Sequence, residues 1–356
     1  MKKVLITGAG GPAGVNFLRS LNLIDREIGL YGTDINTYHL QFAKPWTKKM
    51  FLVPRATSDQ YIPTINGIIK EYHIDMVHPQ PDIEVSIISE NREKIEALTF
   101  LPKKETIRIC QDKYLSANIW KEKKFPSVNA LKIRYDHLES DIEKAFDNLG
   151  EKLWIRAKKG AGGTGSTPIE NEETGVSWIK YWKSRGKDWE FIAQEYLPGR
   201  NIAFQSIFKN GEIICSQARE RIEYIYPYLA PSGVTGTPIV AKTIHDETIN
   251  KMATEAILAI DSNASGIFCV DMKEDKNGKI CPTEINAGRF FTTSYFFSFA
   301  AKKYEVPLAN MPFILIKLAF KEKIPEGPSY NILPKNLYWI RHIDCSEHLI
   351  EEKDLK

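Results

Sequence analysis

An Asn277-Gly278 pair stands between two short runs of strand-like character, residues 266–272 and 279–286. Asn-Gly is the strongest short-range hairpin signal, because both residues tolerate positive φ. With 277 and 278 as the two turn residues, Asp271 faces Glu284 across the hairpin. Asn286, two residues on, shares their face because side chains alternate along a strand. Like charges directly opposite one another destabilise a sheet, so this pair calls for a cation between them. Two carboxylates and an amide oxygen are hard ligands of the kind that suit Mg²⁺ bridging to a nucleotide phosphate. A four-residue loop would slip the register by two and keep all three on one face, whereas a bulge would break the arrangement. The plain alternative is a hairpin edge with solvated acids.

The chain's 356 residues give room for two or three subdomains with substantial cores. A hydrophobic share of 43% and a charged share of 26% are those of an ordinary globular protein. The net charge of +3 is too small to argue for a nucleic-acid partner. Five cysteines (Cys110, Cys215, Cys269, Cys281 and Cys345) are scattered without a CxxC pair, against both a disulfide framework and a structural zinc site. The hairpin register puts Cys269 and Cys281 on opposite faces as small buried side chains. The apolar N-terminal run is too short for a signal peptide. The most apolar stretch, 313–320, is interrupted by Lys317, so no membrane span is expected. These features predict a reducing, cytoplasmic home.

Residues 1 to about 105 alternate strand and helix: strands at 4–6, 28–33 and 76–79, a glycine turn over 8–14, and a helix over 15–23. Such alternation predicts a parallel, doubly wound sheet. A boundary follows at Pro102, then a helix over 106–122. Residues 150–197 read as strand, glycine loop, helix (172–185) and strand. From 198 to 320 strands dominate, at 202–208 and 212–221, with a helix at 245–260 before the hairpin. A last strand at 337–343 leads to a charged tail expected to fray.

The first glycine loop, Gly8 to Gly14, lies between strand and helix with Asp34 some twenty residues on, the context of a dinucleotide fingerprint. Alone it resembles an NAD(P)-dependent epimerase or short-chain dehydrogenase. Such enzymes carry a Tyr-x-x-x-Lys, and none of the fifteen tyrosines has lysine four residues later. The second loop carries Gly160, Gly162, Gly163 and Gly165 and follows a strand bearing Arg156 and Lys158. Ser166 stands where a Walker loop has lysine, so it is no P-loop, yet its N–H groups can close over phosphates. A strand then ends at Gln194-Glu195-Tyr196-Leu197 before a Pro-Gly break, a hinge whose backbone can read an adenine edge.

These elements in this order resemble the ATP-grasp superfamily, and within it single-copy proteins akin to the carbamoyl-phosphate synthetase large subunit. The resemblance is carried by Asp112-Lys113, Leu153-Trp154-Ile155-Arg156, Gly160 to Ser166, Gln194 to Gly199, Asp271, and Glu284-Ile285-Asn286. It implies a mixed α/β and α+β fold: a Rossmann-like domain (1–105), then an ATP-grasp domain of two α+β subdomains. These are 106–197 with the glycine lid and 198–320 with the Mg site, followed by a strand and tail (321–356). It implies that Lys113, Arg156 and Lys158 contact ATP phosphates, and that Gly162, Gly163, Thr164, Gly165 and Ser166 form the lid. Glu195, Tyr196 and Leu197 would hold adenine, and Asn201 would stand at the ribose. Asp271, Glu284 and Asn286 would bind one or two Mg²⁺ ions, with Mn²⁺ able to substitute. The family's first glycine loop lines the acceptor side rather than binding a dinucleotide.

Two departures concern the ribose: Asn201 stands where the family has an acid, and Gln205 replaces a further common Asp. The metal motif continues Asn286-Ala287-Gly288-Arg289, with its arginine moved by one. The implied activity is ATP-dependent ligation of a small carboxylate to an amine through an acyl phosphate. Arg219, Arg221 and Arg289 are the candidates to hold acyl phosphate or substrate, and tyrosines 224, 226 and 228 lead to a specificity loop. The implied partners are these small molecules and a second copy of the chain. The alternatives are the NAD(P) oxidoreductase and an ATP-binding protein without turnover.

Overall fold

A computed structural model of the chain describes residues 1–24, 28–160, 163, 165–342 and 348–354. Three sheets organise it. The first holds β1 (Lys2–Thr7), β2 (Ile28–Asp34), β3 (Lys49–Leu52) and β4 (Met76–Pro79) in the order β3-β2-β1-β4, every pair parallel. Parallel strands covered on both faces read as continuous apolar runs, and Val4, Leu5 and Ile6 are fully buried. Alternation sends Leu5 into one core and Val4 and Ile6 into another. Helix Pro12–Leu21 opens with proline in its first turn after an extended Gly11, the position where a missing N–H costs least.

The second sheet holds β5 (Ala130–Ile133), β6 (Leu153–Ala157), β7 (Thr167–Ile169) and β8 (Phe191–Glu195), antiparallel, in the order β5-β8-β6-β7. Helices Leu138–Leu149 and Glu172–Ser184 bury Ile142, Ala145 and Ile179 in this sheet's own core. The third sheet is antiparallel and ordered β13-β12-β9-β10-β11-β14-β15. Its strands are β9 (Asn201–Lys209), β10 (Glu212–Tyr224), β11 (Pro238–Ile244), β12 (Gly266–Glu274), β13 (Ile280–Ala287), β14 (Leu337–Ile340) and β15 (His348–Glu351). The two large cores each join residues of the first and third sheets: Leu5 and Val77 with Phe204 and Phe268, and Val4 and Ile6 with Ile207 and Ile267.

The helix expected over 106–122 is two helices, Lys104–Cys110 and Lys113–Glu122. Asp112 breaks it by capping the second, its Oδ1 accepting the Leu115 N–H at 3.0 Å. Helices Tyr295–Lys303 and Met311–Ala319 occupy stretches where no helix was expected. Part of the tail expected to fray pairs as β15 against β14. Cys345 lies outside the described residues, and Cys110, Cys215, Cys269 and Cys281 are buried and free. No helix of the described residues is long and apolar enough to cross a membrane.

The hairpin reaches the expected pairing by an unexpected route. Its turn has three residues, not two: Asp275 N–H donates to the Lys279 carbonyl at 2.9 Å, and Gly278 takes φ +80°. A left-handed glycine closing a three-residue turn is a standard hairpin geometry. Asp275 Oδ1 stabilises it by accepting from the N–H groups of Asn277 and Lys279. The longer turn shifts the register by one, pairing Lys273 with Cys281 and Met272 with Pro282. A bulge at Thr283 shifts it back, so that Asp271 faces Glu284 and Cys269 faces Asn286. The two irregularities cancel at the acidic pair. They do not cancel at Cys281, which pairs with Lys273 and shares the face of Cys269, correcting the opposite-face expectation.

Candidate functional site

Alternation along the strands decides which side chains reach the space between the second and third sheets. On β6, Leu153, Ile155 and Ala157 point into the core while Trp154 and Arg156 point the other way. On β12, Val270 and Met272 are fully buried and Asp271 and Lys273 face outward. Trp154, Arg156, Asp271 and Lys273 line a cleft of ≈ 420 Å³. Its walls also include Gln194 to Leu197, Asn201, Arg221 and Tyr224, and beyond the turn Thr283, Glu284, Asn286, Arg289 and Phe291.

Charges of both signs converge at one end. Arg221 Nη2 donates to Asp271 Oδ1 at 2.6 Å, and Arg156 Nη2 donates to Glu284 Oε2 at 2.7 Å. Lys113 Nζ stands 3.4 Å from Glu284 Oε2 and donates to the Gly160 carbonyl at 2.6 Å. Arg289 pairs with Asp82 and donates to Asn286 Oδ1, tying the metal motif to the start of helix Asp82–Glu90. Burial alone would raise the Glu284 carboxyl, but Arg156 and Lys113 hold it well below the usual range. Its neighbour Asp271 is pushed up to about 6 by burial and by Glu284, against the pull of Arg221. Burial lowers the Lys113 ammonium in spite of Glu284. Lys113, Arg156, Arg221 and Arg289 thus meet three carboxylates, Asp82, Asp271 and Glu284, an excess that suits a polyanion.

Arg156 Nε, Arg221 Nε and Gln194 Nε2 are buried donors without an acceptor among the described residues. The Leu197 N–H is likewise unbonded there. Unsatisfied buried donors are costly, so the cleft is built for a ligand rich in acceptors. The oxygens of Asp271, Glu284 and Asn286 suit a hard divalent cation. Among the described residues no group of three or more His, Cys, Asp or Glu side chains is placed to hold a metal. A cation here would therefore need further oxygens from a ligand.

Most of the residues singled out from the sequence meet at this cleft: Arg156, Gly163, Ser166, Glu195, Tyr196, Leu197, Asn201, Arg221, Asp271, Glu284, Asn286 and Arg289 line it, and Lys113 joins them through Glu284. Gly163 abuts the carbonyl of Val234, bringing the glycine loop against the loop that follows β10. Gly162 and Thr164 lie outside the described residues. Three expected site residues are placed elsewhere. Lys158 turns away to Asp112, at 3.4 Å, and to Glu190. Gly165 backs onto Trp178, whose Nε1 donates to its carbonyl at 3.0 Å. Arg219 is 1% exposed and shares the face of Arg221, but the Phe291 ring, about equally close to both guanidinium groups, stands beside it and Arg219 is not among the cleft-lining residues. Gln205 is a core residue, accepting from Ser294 Oγ at 2.7 Å.

Sequence reasoning missed Asp82 and Lys273, and gave no site role to Trp154 although it stands in the motif that ends at Arg156. Lys273 was within reach, two residues past Asp271 on the same strand face. Asp82 was not, because only tertiary packing brings it to Arg289.

The first glycine loop is filled by its own chain. Asp34, 5% exposed, accepts from Gly10 N–H at 3.1 Å and from Asn36 N–H at 3.0 Å. A Cβ on Gly10 would stand 2.3 Å from the His39 carbonyl oxygen. Backbone cannot rotate aside, so Gly10→Ala is expected to lower unfolding free energy by about 2–3 kcal/mol. Urea denaturation checks this, and an unchanged midpoint would contradict the close packing.

A family model described as an ATP-grasp domain matches residues 110–293. No curated protein matches the chain. Similar solved structures include the biotin carboxylase domain dimer of Hydrogenobacter thermophilus 2-oxoglutarate carboxylase, in complex with MgADP, ADP and bicarbonate. That domain is 17% identical with a TM-score of 0.70, covering 95% of this chain and 73% of that one. Carboxyaminoimidazole ribonucleotide synthase from Aspergillus clavatus, complexed with ATP, is 14% identical at a TM-score of 0.70, covering 95% and 81%. The L-amino acid ligase of Bacillus licheniformis is 12% identical at 0.67, covering 95% and 79%. At these identities the likeness is one of fold.

Proposed function

The chain belongs to the ATP-grasp family, and from that premise we propose that it is an ATP- and Mg²⁺-dependent ligase, activating a small carboxylate as an acyl phosphate for attack by an amine or similar nucleophile. The observation that carries this reading is the opposed pair Asp271 and Glu284, each already held by cations at one end of a nucleotide-sized cleft.

Asp271, Glu284 and Asn286 would hold Mg²⁺, which when bound neutralises charge as the γ-phosphoryl group moves. Arg156 and Lys113 exchange Glu284 for phosphate oxygens, and Arg221 does the same from Asp271. Tyr196, packed 6.4 Å from Trp154 between ring centroids, and Leu197 form the base end. The Leu197 N–H supplies a donor to the base edge. Gly162 to Ser166 close over the phosphates together with the Val234 loop. Arg289, fixed by Asp82, orients Asn286 and presents a cation to the substrate carboxylate. We further propose the division into a Rossmann-like domain (1–105), two ATP-grasp subdomains (106–197 and 198–320) and a terminal segment (321–356), and a homodimer as the assembly.

The satisfied Asp34 carboxylate weighs against an NAD(P) oxidoreductase, whose ribose would need that group. Thermal shift separates the readings, because a ligand at a hundred times its Kd stabilises the native state by about 2.7 kcal/mol. A rise with MgATP is expected. Stabilisation by NAD(P)H and not by MgATP would overturn the proposal. ADP release with pooled amino acids and small carboxylates then distinguishes a ligase from a binder without turnover.

A further inference from the structure

Lys273 has no place in the reaction just described, yet it lines the cleft. It lies two residues from Asp271 on the same face of β12, about 7 Å along the strand, and its register partner on β9 is Asn201. Its ammonium sits 5.7 Å from the centre of the Tyr196 ring, so it stands between the cation-rich end and the base end. Among the described residues its ammonium makes no hydrogen bond or ion pair. A half-buried cation without a counter-charge is unfavourable unless a ligand supplies an acceptor.

Its register partner is engaged elsewhere. Asn201 Oδ1 accepts from Arg221 Nη1 at 3.2 Å, and Asn201 Nδ2 donates to the Tyr224 hydroxyl at 2.8 Å. Lys273 is therefore a free donor without acceptor capacity beside Asn201. A nucleotide with its phosphates at Asp271 and Glu284 and its base at Tyr196 brings its sugar past this point. Resting on the nucleotide reading of the cleft, we propose that Lys273 reads the sugar, donating to the ribose hydroxyl oxygens and setting the preference for ribonucleotides over deoxyribonucleotides.

Equilibrium binding of ATP, 2′-deoxy-ATP and 3′-deoxy-ATP, each with Mg²⁺, tests this in the full-length protein and in Lys273→Met. The wild type is expected to bind ATP about 10-fold more tightly than at least one deoxy analogue, the loss of one charge-assisted hydrogen bond. In Lys273→Met the ATP Kd rises about 10-fold and the ratio collapses toward one, while Lys273→Arg keeps most of it. With turnover, the effect falls on KM for ATP. The melting temperature of Lys273→Met holds or rises, since a desolvated charge is removed, so misfolding is not the cause of weak binding. A wild type that binds both deoxy analogues as tightly as ATP, or a Lys273→Met variant that still discriminates, overturns the inference and leaves the nucleotide site standing. A wild type that binds none of the three removes the nucleotide site itself.

Discussion

Glu284→Gln is expected to lower ATP turnover by about 10³-fold or more, the scale of removing an electrostatic group that acts on the transferring phosphoryl. The substitution keeps the shape and one oxygen but removes the charge that Arg156 holds at 2.7 Å and Lys113 at 3.4 Å. On the proposed reading two losses coincide: a divalent ion would lose a charged ligand, and Arg156 and Lys113 lose the partner that positions them. Lys113 is 5% exposed, so some stability is lost with its counter-charge. Circular dichroism and a melting curve, run beside the ADP assay, separate inactivity from unfolding. A folded Glu284→Gln protein with near-normal turnover would remove Glu284 from the metal site. A restoring effect of high Mg²⁺ would support its assignment there.

Acid is expected to destabilise the protein through His78, and the effect is large. His78 is fully buried, stacked on Phe17 at 4.6 Å and edge-on to Phe290 at 5.7 Å, with neither ring nitrogen bonded among the described residues. Burial pushes its pKa down to about 3, whereas the unfolded chain protonates near 6.5. A depressed folded pKa means stability is fully present above the unfolded value and lost as pH falls toward the folded one. Between those limits the unfolded state binds a proton that the native state refuses, costing about 1.4 kcal/mol per pH unit.

Glu84 acts in the opposite direction, because burial pushes its carboxyl up to about 7. Its contribution is complete at low pH and is lost as pH rises through 7. Asp271, pushed up to about 6, adds to the same window, so the wild-type profile between pH 5 and 7 mixes all three and the comparison that isolates His78 is with His78→Leu. Denaturation at pH 7 and pH 5 should show the variant gaining about 2 kcal/mol relative to wild type as pH falls. Parallel profiles would mean that His78 is protonated in the native state.

The architecture was legible wherever a pattern repeats over short range. Residues 4–6 and 28–33 betrayed buried parallel strands, and Asn277-Gly278 betrayed the hairpin. The acidic pair was placed correctly although the turn was misjudged, because the bulge at Thr283 cancels the extra turn residue. Nothing local announces that bulge, and Cys281, on the turn side of it, shows the cost of misjudging the turn. Asp112 split a predicted helix because a side-chain cap competes with continued winding. The first glycine loop has the spacing of a cofactor site, yet Gly10 and Asp34 serve the chain's own packing. Arg219 has the same strand phase as Arg221 and the same Phe291 ring beside it, yet it is 1% exposed and does not line the cleft, a difference that strand alternation does not reveal.

Crystals grown with Mn²⁺ and a non-hydrolysable ATP analogue, with an anomalous difference map at the manganese edge, test the central claim most directly. The predicted result is a peak bridging the carboxylates of Asp271 and Glu284, with Arg156 turned from Glu284 to the phosphates and the base against Tyr196. A manganese peak remote from both acids, or the analogue lodged against Gly8 to Gly14, would contradict it.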